Sequence, residues 1–142
     1  MMPARAEPRL LPALQATLHR LLERLGGELR PLGLSQGEIN ALAQLERGRP
    51  GTVAELQRAT GQRASTLTGI LDRLERQGLV ARGVNPSDRR SFLVVLTKPG
   101  ARAAAQVERA FAALEGEALG AVPRRSVRGF YEVLAALDAA AG

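Results

Sequence analysis

The sequence predicts a mainly α-helical protein carrying one small β-hairpin. Apolar residues recur at spacings of three and four over most of the 142 residues. Two helix-start signatures, Ser35-x-x-Glu38 and Thr52-x-x-Glu55, stand close together. A single stretch, residues 79–96, alternates apolar and polar positions about a turn-rich centre. With 45% apolar and 24% charged residues, the composition is that of a globular chain of about one domain.

Leu10, Leu14, Leu18, Leu21, Leu25 and Leu29, with Leu11 and Leu22 beside them, make one broad stripe of a helix from about Arg9 to Arg30. Gly26 and Gly27 weaken its last turns, and Pro31 with Gly33 ends it. A stripe of this length exceeds what a small neighbouring domain covers, so it serves either the core alone or the core and a subunit interface. The Ser35 signature opens a helix carrying Ile39, Leu42 and Leu45, which closes before Gly48-Arg49-Pro50-Gly51. The Thr52 signature opens a shorter one with Val53, Leu56 and Ala59, ending at Gly61. In each, hydroxyl and carboxylate are expected to satisfy reciprocal backbone N–H groups.

After a turn at Gly61-Gln62, a third helix covers about 63–77, buries Leu67, Ile70, Leu71 and Leu74, and stops at Gly78. Its opposite face carries Ser65, Thr68, Gly69, Asp72 and Arg76, flanked by Thr66 and Arg73. Small hydroxyl residues and a glycine suit a helix that approaches another molecule closely. Two strands follow, Leu79–Gly83 and Ser91–Leu96, joined by Val84-Asn85-Pro86-Ser87-Asp88-Arg89-Arg90. Phe92, Val94 and Leu96 fall on one face, and the arginines fall at the tip. Thr97 caps an alanine-rich helix to about Leu119, with Val107, Phe111, Leu114 and Ala118 as its stripe. Val122-Pro123 breaks it, and a last helix from about Arg124 to Ala140 buries Val127, Phe130, Leu134 and Leu137.

Twenty basic residues against fourteen acidic give a net charge of +6, and every basic side chain except Lys98 is arginine. That balance points to a polyanionic partner, nucleic acid first and an anionic membrane surface second. With no cysteine, disulfides, thiolate metal sites, thiol nucleophiles and thiol redox sensing are excluded. His19 is the one histidine and makes no metal site by itself; no cofactor is expected. No apolar run approaches the roughly 18 residues of a membrane span, and Met1–Arg9 lacks the apolar centre of a secretion signal. A cytoplasmic location is the expectation. The carboxylates are spread singly, mostly beside i,i+4 arginines, and Gly48-x-x-Gly51 lacks the lysine of a phosphate-binding loop, so catalysis is not expected.

Helix–turn–helix followed at once by a basic hairpin is the layout of a winged helix-turn-helix. The second helix of the pair enters a major groove with its exposed N-terminal half. An arginine on the hairpin tip reaches the neighbouring minor groove, where negative potential concentrates.

Several motifs add to this layout: Leu34-Ser35 and Leu42, then Thr52-x-x-Glu55-Leu56, then Ser65-Thr66-Leu67-Thr68-Gly69-Ile70-Leu71-Asp72-Arg73-Leu74-Glu75. Gly78-Leu79-Val80-x-Arg82, Asp88-x-Arg90 and Leu96-Thr97-x-x-Gly100 complete the series. In this order and spacing, Leu34 to Gly100 resembles the MarR family of bacterial regulators, with Gln57, Thr60 and Gly26-Gly27 as departures. The resemblance implies a homodimer built as an N-terminal dimerisation helix (1–33), a winged domain (34–97, recognition helix 63–77, wing 79–96) and C-terminal dimerisation helices (98–142). Leu10, Leu14, Leu18, Leu21, Phe111, Leu114, Phe130 and Leu134 would form the dimer interface.

On the same resemblance, Ser65, Thr66, Thr68 and Gly69 would face the major groove of double-stranded DNA, with Arg63 and Arg73 on phosphates. Arg90, with Arg89, would enter the minor groove, and Asp88 would orient the wing through a charge-assisted bond. The dimer would repress genes from a pseudo-palindromic operator and be released by a small anionic or phenolic ligand, bound between dimerisation helices and winged domain. Two other readings stay open: Arg73 and Arg76 pairing with Asp72 and Glu75 on a wet face, and a nonspecific nucleoid or RNA-binding role for the same fold. A lack of exposed aromatic residues counts against RNA.

Overall fold

The computed structural model describes residues 9–45 and 51–142. Helix α1 (Leu10–Glu28) is followed by a 3-10 turn (Arg30–Leu32), α2 (Gln36–Leu45), a two-residue strand β1 (Gly51–Thr52) and α3 (Val53–Thr60). Next come α4 (Ala64–Arg76), β2 (Val80–Val84), β3 (Phe92–Leu96), α5 (Lys98–Leu119) and α6 (Arg124–Ala141). The turn expected at Gly48-Arg49-Pro50 lies outside the described residues. Among those described, the chain divides into two units, the first ending at Ala110 and the second covering Phe111–Gly142.

In the first unit the apolar faces of α2, α3 and α4 meet the inner face of the sheet. Leu42, Leu67, Leu71, Leu74 and Val94 are completely or almost completely buried there, with Ala103 and Ala104 of α5 closing the cluster. Burying each such leucine is worth about 2 kcal/mol, which is why this register of apolar positions outweighs modest helix propensity in the short α3. The sheet has three antiparallel strands in the order β1-β3-β2. The hairpin was legible in the sequence. Strand β1 was not, since two residues hold no alternating pattern; Gly51 pairs with Val94 and Thr52 with Leu93.

Glycines fix two of the joints. At the end of α4, Gly78 (φ 74°) donates to Glu75 O and the Leu79 N–H donates to Leu74 O, the paired bonds of a Schellman turn that reverse the chain into β2. The start of α5 presses against that same turn. Thr97 Oγ1 donates to Gly78 O at 2.6 Å and accepts from the Gly100 N–H at 3.1 Å. A Cβ on Gly100 would lie 1.7 Å from Leu79 O, so no other residue fits there without moving backbone.

Helix α1 runs through both glycines to Glu28 rather than to Arg30. Gly26 has a packing reason. Gln36 Nε2 reaches past it to donate to Leu22 O at 2.9 Å, where a Cβ on Gly26 would come within 3.0 Å of that nitrogen. Only Leu25 and Leu29 of the N-terminal stripe are buried; Leu14 is half-buried, and Leu10, Leu18 and Leu21 stand in solvent.

In the second unit Leu114 is buried and Phe111 half-buried, whereas Ala118 is exposed. Helix α6 departs from its expected burial. No residue of it is buried: Val127, Leu134 and Leu137 are half-covered, and Phe130 is 45% exposed. The apolar stripe exists, but one chain does not cover it. No described helix is long and apolar enough to cross a membrane.

Candidate nucleic-acid interface

The turn between α3 and α4 sets the presentation of α4. Thr60 Oγ1 donates back to Leu56 O at 2.7 Å and accepts the Gln62 N–H at 3.3 Å, bracketing Gly61 in the left-handed conformation. That accounts for Thr60, one of the departures from the family pattern. No side chain caps α4, so the N–H groups of its first turn face outward beside the exposed Arg63. Uncapped N–H groups and the positive end of the helix dipole make this terminus receptive to a phosphate.

Ser65, Thr66 and Thr68 are all exposed on α4, and Gly69 is half-buried. Thr68 Oγ1 donates to Ala64 O at 2.9 Å, leaving its oxygen as an outward acceptor. Among the described residues, a Cβ on Gly69 would meet Arg73 Nη1 at an ordinary 3.5 Å. The fold therefore has room for alanine at 69, which helix propensity favours by about 1 kcal/mol.

Arg73 serves a structural partner. Its Nε donates to Glu38 Oε1 at 2.9 Å, and Gln77 Nε2 donates to Glu38 Oε2 at 3.3 Å. Glu38 is 4% exposed and bridges α2 to α4. The expected capping box is thus half formed: Ser35 Oγ accepts the Glu38 N–H at 3.2 Å, but the carboxylate turns inward to α4. Thr52 Oγ1 likewise accepts the Glu55 N–H, at 3.1 Å. The signal for Glu38 was present, since it shares the i, i+3, i+4, i+7 face of Ala41, Leu42 and Leu45. The guanidinium of Arg73 is half exposed beyond this bond.

Asp72 and Glu75 pair with Arg82 on β2, not with Arg73 or Arg76. Arg82 Nη2 bonds Asp72 Oδ1, and its Nε lies 3.0 Å from Glu75 Oε2. Arg76 Nε instead lies 3.4 Å from the Asp72 carbonyl. Arg82 so straps the base of the wing to α4.

The wing tip is held by its own polar side chains. Asn85 Oδ1 accepts the Ser87 N–H and Asp88 Oδ1 accepts the Arg90 N–H, both at 3.0 Å. These local turns leave Arg89 and Arg90 exposed. The charge-assisted bond expected of Asp88 goes to backbone. Phe92, expected inside with Val94 and Leu96, is 53% exposed. It sits beyond the edge of the core. With Phe130 and Tyr131 also exposed in the protomer, the expected lack of exposed aromatic residues does not hold.

A groove of about 370 Å³ lies within the first unit, between the end of α1 with its 3-10 turn and the first half of α5. Leu29, Pro31, Leu32 and Ala110 give it apolar walls, and Glu28, Gln106 and Arg109 give it polar ones.

The profile of the MarR family matches residues 32–91, which contain α2, α3, α4 and most of the wing. The multiple antibiotic resistance protein MarR of Escherichia coli is 33% identical over 93 residues, 66% of this chain and 62% of that protein. Over that segment the chain is similar to the MarR family. The family comprises DNA-binding transcriptional regulators, not enzymes. Matches to the curated relatives span only part of those proteins, from 28% to 62% of their lengths. Solved structures share the fold over nearly the whole chain. The Staphylococcus aureus MepR–DNA complex superposes with a TM-score of 0.81 at 17% identity, over 96% of this chain and 100% of that one. CouR from Rhodococcus jostii bound to p-coumaroyl-CoA gives 0.80 at 23% identity, over 95% and 96%. The chain therefore has the winged helix-turn-helix fold, mainly α with a small sheet.

Proposed function

We propose that the chain is a homodimeric transcriptional repressor that reads a pseudo-palindromic operator in double-stranded DNA and is released by a small anionic or phenolic ligand. One observation carries the reading: α4 offers an uncapped N-terminus, three exposed hydroxyls and a glycine its packing does not require, on a helix strapped to an arginine-tipped wing. Ser65, Thr66 and Thr68 read base edges, and Gly69 lets the groove wall approach. Arg63 and the free side of Arg73 hold phosphates, while Arg90, with Arg89, enters the minor groove. MepR, which shares the fold, has been solved on DNA.

The exposed leucines of α1 and the uncovered stripe of α6 support pairing of two chains. Leu10, Leu18, Leu21 and Phe130 supply exposed area, with Leu14, Phe111 and Leu134 half-covered; Leu114, 8% exposed, has little left to offer a partner. The groove suits the ligand, with an apolar wall for a ring and Arg109 for an anionic group. CouR, of the same fold, is seen with a phenolic thioester. Hydroxyl-radical footprinting on a duplex selected from random sequence tests the proposal. Two protected patches related by a dyad, about 10 base pairs apart, are expected; continuous protection without phase would contradict it.

A further inference from the structure

Val84 and Phe92 face each other as the outermost pair of the β2–β3 ladder, and they are 67% and 53% exposed. Cross-strand partners share a sheet face. This pair continues the face of Val80, Arg82 and Val94, of which Val80 and Val94 are buried with Leu71 and Leu74 while Arg82 bonds to α4. The two side chains therefore stand between the strap that ties the wing to α4 and the arginines at the tip.

A lone exposed valine needs no explanation. Here the place matters. Phe92 is the first aromatic residue of the chain, the others lying at position 111 and beyond. The acid nearest to it on the hairpin, Asp88, turns its carboxylate to the Arg90 N–H. What remains is an apolar pair at the end of the ladder next to the exposed Arg89 and Arg90. A nucleic-acid strand alternates anionic phosphates with apolar deoxyribose edges, and this surface complements that alternation.

We propose that Val84 and Phe92 are a DNA-contacting element of the wing that packs on the deoxyribose edges of one strand while Arg89 and Arg90 occupy the adjacent groove. The inference rests on the DNA-binding reading above. Apolar contact displaces water rather than counterions, so its share of the affinity does not fade with salt, unlike that of the arginines.

The test uses the full chain and a labelled duplex recovered by in vitro selection, titrated by anisotropy over a series of salt concentrations. Phe92→Gln is expected to weaken binding about five- to tenfold at every salt, with an unchanged log–log slope, as losing contact area does. Phe92→Leu keeps apolar area and is expected within about twofold of wild type. Val84→Thr preserves strand-forming shape and is expected to cost about threefold, which keeps the test valid if Phe92→Gln fails to fold. Wild-type affinity in Phe92→Gln and Val84→Thr, a reduced slope, or equal losses for Gln and Leu would each overturn the inference while leaving the DNA reading intact. A wild-type chain that selects no duplex would overturn both.

Discussion

On the proposed reading, Gly69 is the residue where fold and DNA binding make opposite demands. Among the described residues nothing stops a methyl group there, and a mid-helix glycine costs about 1 kcal/mol relative to alanine. Gly69→Ala is therefore expected to raise the thermal midpoint by a few degrees while weakening operator binding about tenfold or more, as a blocked groove contact would. Calorimetry and anisotropy on the same preparation check both signs. A residue kept for packing would move them together. Arg90 makes the complementary case, since only its backbone N–H is engaged, by Asp88. Arg90→Ala is expected to lower the log–log salt slope by about one and weaken binding across sequences, with stability unchanged. An unaltered slope would take Arg90 out of the contact. Glu38 shows how a residue's role escaped the sequence. Its position three after Ser35 reads equally as a helix cap and as part of a buried face, and only packing against α4 decides.

The elements were legible wherever an amphipathic period and a stop signal coincided. Helices α3 and α4 end at glycines with positive φ, and the hairpin strands fell within one residue of their expected bounds. Strand β1 escaped because two residues carry no period, and the exposure of Phe92 escaped because alternation tells which face a residue takes but not where the core stops beneath it. The joint between α4, β2 and α5 includes a close backbone approach of Gly100 to Leu79. Gly100→Ala drives a methyl group into Leu79 O and is expected to cost about 3 kcal/mol or more of stability, measured by urea unfolding. Because Thr97 caps α5 while bonding Gly78 O, the same change is expected to disturb the Arg82 strap and the aim of the wing. A loss below about 1 kcal/mol would mean that the helix start yields easily.

For the molecule as a whole, what one chain leaves uncovered is as informative as its core. The exposed hydroxyl face of α4 and the arginine-tipped wing were legible from residue types and spacing, but the uncovered state of α6 was not, because periodicity reports a stripe without saying what buries it. Leu18 is 51% exposed on α1. Leu18→Glu is expected to shift the chain from dimer to monomer in sedimentation equilibrium and to lower operator affinity by orders of magnitude, since half-site binding loses the linked second contact. A fully dimeric variant would remove Leu18 from the interface. The account stands or falls on selective recognition by a paired chain. Its most direct test is the affinity for a selected duplex against a scrambled one of equal length, near physiological salt, with stoichiometry read from the titration end point. The account gives two chains per duplex and a preference of at least about a thousandfold; equal affinity for both duplexes, falling steeply together as salt rises, would contradict it.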